Sequence, residues 1–131
     1  MNSDLLLVYR DYLACLNERR WDDLGRFVAE EVVYNGEWIG LSGYRAMLQA
    51  DTDAIPDLEF IPDILLADDR VVSCRLFFQC TPQQAFLGFE PTGGRLSFPE
   101  HVFYAFDNRQ IVEVWSVIDK ETIRQQLSEE L

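Results

Sequence analysis

At 131 residues the chain has the length of one domain, long enough to bury a core without disulfide or metal staples and too short for two. Its 23 acidic and 11 basic residues leave a formal net charge of −12, which repels phosphate backbones and anionic lipid, so neither nucleic acid nor membrane is an expected partner. Cys15, Cys74 and Cys80 are odd in number and irregularly spaced, without Cys-x-x-Cys or a histidine-rich context; this predicts free thiols in a reducing, cytoplasmic compartment. No apolar stretch approaches the ~20 residues of a membrane span, and Met1-Asn2-Ser3-Asp4 lacks the positive region of a signal peptide.

Leu5, Val8, Tyr9, Tyr12 and Leu16 recur at helical spacing and predict an amphipathic helix over 3–18. A second short helix is expected over 21–28, with Asp22 and Asp23 in its first turn, where the macrodipole favours acids. Val32-Val33-Tyr34 reads as a short strand broken at Asn35-Gly36, with Glu37-Trp38-Ile39 as its return. A third helix is predicted over 44–50, ended by the polar run before Pro56. Beyond it the chain is β: strands over 58–66 and 71–80, then a loop marked by Gly88, Pro91 and Gly93-Gly94. Strands over 96–106 and 111–118 follow, joined by the polar turn Asp107-Asn108-Arg109-Gln110 as an antiparallel hairpin. Asp119 stands where a helix N-cap belongs.

Helices first and long strands after predict an α+β fold, with helices gathered on one face of an antiparallel sheet. Such a long sheet twists and curls, the helices cover part of its concave face, and the uncovered remainder becomes a pocket. Aromatic residues make up 13% of the chain, enough to line a cavity as well as fill a core.

The sequence holds no phosphate-binding loop, dinucleotide fingerprint, nucleophile elbow or metal-ligand cluster of workable spacing. Metal and cofactor are therefore not expected, and acid–base chemistry by carboxylates, one imidazole and phenols remains. His101, the sole histidine, titrates nearest neutrality. In its strand Leu96, Phe98, Glu100, Val102, Tyr104 and Phe106 form the more apolar alternate set, which turns Glu100 inward and His101 outward. A bulge at Pro99 would exchange the two, so either His101 or Glu100 faces the pocket. Trp115 and Tyr104 offer flat walls to a ring system or fill the core, and Tyr34, Asn35 and Trp38 make a pocket rim or a turn.

FLGFEPTGGRLSF (86–98), IVEVWSVID (111–119) and IRQQL (123–127) resemble the SnoaL-like polyketide cyclase, or ester cyclase, branch of the nuclear transport factor 2-like superfamily. Members commonly read F-L-G-x-x-P-T-G, then a strand, an acidic-polar turn, I-V-E-x-W-x-x-x-D and a terminal L-x-Q-Q-L. Gly40-Leu41-Ser42-Gly43-Tyr44-Arg45-Ala46 resembles the family's helix start, and Ile55-Pro56-Asp57-Leu58-Glu59-Phe60 its F-P-D-L-x-F segment, so the resemblance spans roughly residues 5–128 of a single domain over 1–131.

The resemblance implies a cone-shaped curved antiparallel sheet, three N-terminal helices on its concave face, a short C-terminal helix, and a homodimer formed sheet to sheet. It also implies a small hydrophobic, aromatic or polyketide-like carbonyl substrate and no cofactor. Asp119 matches the acid ending W-x-x-x-D and is the expected base, with His101 or a tyrosine on the enolate and an intramolecular aldol closure to follow; the alternative role for Asp119 is the N-cap. Family cyclases also use an acid nearer the tryptophan, where this chain has Ser116; relatives carry His or Asp where it has Val102, and His where it has Asn35. These departures keep open a protein that binds small molecules without turning them over. An isomerase or hydrolase on the same scaffold is a further alternative.

Overall fold

The structure is a computed structural model that describes residues 2–129. Helix α1 (Asn2–Asn17) buries Leu5, Tyr9, Tyr12, Leu13 and Leu16 along the predicted stripe. A 3₁₀ helix (Trp21–Arg26) stands where an α-helix over 21–28 was expected. Its bonds from Asp23 N–H to Arg20 O and from Phe27 N–H to Leu24 O span three residues and tighten it, and Val28 leaves directly into β1 (Val28–Tyr34).

β1 is longer than the expected strand at 32–34 because it joins β6 (Gln110–Ile118) in parallel, a distant pairing with no local signature. β2 (Glu37–Trp38) returns along β1, and α2 (Gly40–Ala54) follows. Gly40 opens α2 at φ +67°, where a Cβ would stand 3.2 Å from Glu30 O, so glycine alone fits this start. The helix also outruns the predicted 44–50 at its other end. Thr52 Oγ1 donates back to Leu48 O and Gln49 O, and Ile55 N–H bonds Asp51 O, so the polar run continues the helix.

β3 (Pro62–Ala67), β4 (Val71–Cys80), β5 (Leu96–Asp107) and β6 form an antiparallel run, and the sheet order is β2-β1-β6-β5-β4-β3. Residues 58–61 stay outside β3, although a strand was expected from 58, because other groups take their backbone. Asn17 accepts from Phe60 N–H and donates to Phe60 O, while Arg19 donates to Pro56 O and Leu58 O. The β5–β6 hairpin turns through Asn108 and Arg109 at φ +52° and +64°, the paired positive angles of a tight hairpin turn. Helix α3 (Lys120–Glu129) closes the chain against β5, where the Gln126 amide clasps Ser97, accepting from its N–H and donating to its O.

Alternate residues of β4 are buried from Val72 to Cys80, and those of β5 from Leu96 to Phe106 apart from the half-buried Glu100. The concave face is therefore mostly apolar and covered by α1 and α2, while the convex face stands free. Cys15, Cys74 and Cys80 are buried free thiols. Among the described residues no helix is long and apolar enough to cross a membrane.

Candidate active site

The parity of β5 decides which polar side chains enter the cone. Pro99 pairs with Phe77 and Glu100 with Leu76 in unbroken register, so no bulge stands at Pro99 and the alternative that needed one falls; the irregularity lies between Ala105 and Phe106. Pro99 is tolerated in a central strand because its open side faces the end of β6, where its carbonyl accepts from Asp119 N–H. Uninterrupted alternation sends Glu100 inward with Phe98, Val102 and Tyr104, and His101 outward.

Glu100 meets Ser116 on β6, whose hydroxyl donates to Oε2 at 2.5 Å. Burial lifts the Glu100 carboxyl to about 7, against the smaller opposing pull of that hydrogen bond, and the negative Asp51 adds to the rise. Asn35, at the φ +48° position after β1, holds Ser116 in place: its amide accepts from Ser116 N–H at 2.8 Å and donates to Ser116 O at 3.1 Å. A residue expected at a pocket rim is thus a backbone clamp behind the serine.

Two small voids of about 40 Å³ each, room for a few water molecules, lie between α2 and the sheet. One is walled by apolar side chains, including Leu58, Phe78, Phe86 and Phe98. The other is lined by Tyr12, Tyr34, Tyr44 and Tyr104. Asp51, Phe60, Glu100 and Ile118 line both. Burial lifts Asp51 to about 6. Sequence reasoning passed over it by ending the helix at 50; its signal was the spacing Tyr44, Met47, Leu48, Asp51, which puts it on the covered face once α2 continues.

The phenols are fixed in pairs, Tyr12 with Tyr44 at 2.7 Å and Tyr9 donating to Tyr104 at 3.4 Å. Burial raises all four well above the ordinary tyrosine value, so they remain hydroxyl donors. No arginine or lysine lines either void.

The remaining sequence candidates lie elsewhere. His101 is exposed on the convex face, where Arg75 Nε donates to its Nε2 at 3.3 Å and Arg75 also pairs with Asp63. Trp115 is 42% exposed on the same face, opposite Phe103, and Trp38 is 70% exposed at the sheet edge. Tyr104 and Glu100 occupy the concave side, so the structure does not bring Trp115, Tyr104 and the 100–101 pair into one cavity.

Asp119 caps α3. Its carboxylate accepts Thr122 N–H at 3.0 Å and Thr122 Oγ1–H at 2.8 Å, and these bonds hold its pKa below the ordinary carboxylate value. The cap stabilises when ionised, above the ordinary value, and its contribution is lost as pH falls through the lowered one. Asp119→Ala is expected to lower the melting temperature at pH 7, with a deficit that shrinks on acidification, and Asp119→Asn to keep most of it. Neither is expected to change turnover; lost turnover in Asp119→Asn would restore Asp119 as the base.

The profile of the SnoaL-like polyketide cyclases matches residues 6–127. The chain belongs to this family. A SnoaL-like polyketide cyclase from Agrobacterium tumefaciens is 47% identical and superposes with a TM-score of 0.91, covering 94% of this chain and 97% of that one. AclR from Streptomyces galilaeus, at 20% identity and TM-score 0.82 over 98% of both chains, shares the fold. So does IdmH from Streptomyces antibioticus, at 20% identity and 0.80 over 96% of this chain and 97% of that one. No curated protein sequence matches the chain significantly. Ser116 follows Trp115, and Glu100 brings a carboxylate from the adjacent strand to within 2.5 Å of that serine.

Proposed function

We propose that this SnoaL-like chain is a cofactor-independent acid–base enzyme that closes a ring in a small, neutral, hydrophobic carbonyl substrate by intramolecular aldol addition. The observation that carries this reading is Glu100, a carboxyl near neutrality enclosed in the cone and held by Ser116. A group that titrates near the working pH both accepts and releases protons readily.

The reaction needs one proton removed from an α-carbon and one delivered to the oxygen of the new hydroxyl, so the cycle is proton-neutral. The α-C–H electrons enter the carbonyl to give an enolate, whose carbon forms the new C–C bond at a second carbonyl carbon. Phenols that line the void, the buried Tyr12 and the half-buried Tyr34, are placed to donate hydrogen bonds to the developing oxyanion. Binding folds the flexible chain into its reactive conformer, which relaxes the demand on any one acid or base. With carboxyls and no cation around the voids, an ester or ketone is accommodated and a free carboxylate is repelled.

The voids are far below the roughly 300 Å³ of a small-molecule site, so substrate entry displaces part of the lining. The turn at Phe86–Phe89 forms one wall of the apolar void through Phe86 and Leu87. It is closed on itself by two reciprocal backbone bonds, with Leu87 at φ +51°.

Two further proposals accompany this reading. Cytoplasmic residence rests on the three free cysteines. A homodimer through the convex face rests on the exposed Ile64, Leu66, Phe103, Trp115 and Val117.

A second reading, a binder without turnover, is favoured by Val102 and Ser116, paired across β5 and β6 where an ionisable side chain on either would have added a second acid or base. The test is deuterium exchange at the α-carbons of 2-tetralone, a neutral two-ring ketone, followed by proton NMR in D₂O. Exchange faster than in matched buffer is expected; saturation-transfer signals from bound ketone without accelerated exchange would establish the binder instead.

A further inference from the structure

We infer that Asp51 is the second catalytic carboxylate of this site, the base that removes the α-proton, while Glu100 donates a proton to the substrate oxygen. This deepens the proposed function and rests on it. The argument begins with position. Asp51 and Glu100 come from α2 and β5, on opposite sides of the space between helix and sheet, and both border both voids. A substrate occupying the joined voids lies between them.

The two carboxyls are tethered differently. Glu100 Oε2 is occupied by the Ser116 hydroxyl, which is itself clamped through its backbone by Asn35, so Oε1 is the oxygen left for substrate. Among the described residues no hydrogen-bond donor reaches the Asp51 carboxylate. A carboxylate with no protein donors keeps its lone pairs available to take a proton. A carboxyl fixed by a hydroxyl is a well-aimed donor.

The charges around the pair support one shared proton. Tyr34 from β1, Tyr12 from α1, Tyr44 from α2, Tyr104 from β5 and Cys74 from β4 feel the Glu100 charge, and all are neutral hydrogen carriers near pH 7. No cation lines the voids, so two negative charges there are uncompensated. Burial raises Asp51 to about 6 and Glu100 to about 7, so between these values the pair carries a single proton.

In the step itself Asp51 takes the α-proton as the C–H electron pair forms the enolate. After C–C closure the Glu100 proton passes to the alkoxide. The enzyme is left with a proton on Asp51 and none on Glu100, and transfer of one proton through water between the two restores it. No oxidant, reductant or other co-reactant enters the balance.

The experiment uses the full chain and two readouts. The first is 2-tetralone exchange in D₂O as a function of pH. Wild type is expected to peak between about pH 6 and 7 and to fall on both sides, acid protonation disabling Asp51 and alkali disabling Glu100. Asp51→Asn is expected to lose at least about 100-fold, the lower end for a general base.

The second readout is carbon-13 NMR titration of the labelled Glu100 carboxyl, which needs no substrate and reports a folded chain. Removing the Asp51 charge is expected to move the Glu100 midpoint down. Asp51→Asn with unchanged exchange, or with an unmoved Glu100 midpoint, overturns the pair and leaves the Glu100 reading intact. Exchange that survives Glu100→Gln, or a wild type that exchanges no faster than buffer, overturns the proposed function itself.

Discussion

Glu100→Gln is expected to lose at least about 100-fold in turnover and, at pH 8, to melt at a higher temperature than wild type. The amide keeps the length of the side chain and an oxygen to accept the Ser116 hydroxyl, but it has no proton to exchange. The stability effect follows from the direction of the shift. Glu100 is raised from 4.5 to about 7, mainly by burial, so its ionised form is disfavoured in the folded state. Its contribution is fully present below about pH 4.5, where the carboxyl is protonated folded and unfolded, and is lost as pH rises through about 7. The loss amounts to about 3 kcal/mol by pH 8. Gln has no such titration, so the advantage of the variant should grow from near zero at about pH 4 toward that figure at pH 8. Urea denaturation at several pH values checks it. A variant less stable than wild type at pH 8 would show that the carboxylate is better solvated than its surroundings indicate. Gained stability with lost activity is the pattern of a group held in an unfavourable state for its chemistry.

How far the sequence discloses this site can be followed residue by residue. The alternation of Leu96, Phe98, Glu100, Val102 and Tyr104 is local, Pro99 alone left its parity open, and the structure keeps it without interruption through that residue. The polar turn at 107–110 and the apolar stripe of α1 are equally local, and both stand as expected. What the sequence obscures depends on distant partners. β1 runs to Val28 because Ile111 N–H finds Phe27 O and β6 lies beside it in parallel, which no short window contains. Residues 58–61 carry a strand-like pattern, but Asn17 and Arg19 claim their backbone from forty residues away. Trp115 looks like a pocket wall until its pairing with Phe103 assigns it to the His101 face. Asp51 was lost for another reason. Asp, Thr and Asp in succession compete with helix formation, and only Thr52 turning its hydroxyl back onto Leu48 and Gln49 shows that the helix absorbs them.

The convex face leads to the other large effect, the expected conversion of a dimer into a monomer by Phe103→Lys. Cross-strand pairing makes this face one patch. Phe103 lies between Trp115 on β6 and Ser73 on β4, Leu66 stands beyond Ser73, and Val117 is opposite His101. These four large apolar side chains and Ile64 are between 42% and 69% exposed, an unusual concentration on one side of a chain whose surface is otherwise acidic. A two-fold contact would lay this patch on its own copy, burying Phe103 near the centre, where a lysine has to be desolvated without an assured partner. Light scattering at micromolar concentration should give twice the chain mass of 15.2 kDa for wild type and that single mass for Phe103→Lys. Because Phe103 is 54% exposed in the single chain, the substitution should leave the fold itself nearly as stable. Salt provides the independent check. Two chains of charge −12 repel at long range while the patch attracts by contact, so raising the ionic strength should tighten the dimer. A wild type of single mass at high salt and micromolar concentration would remove the dimer, and the convex face would need another occupant.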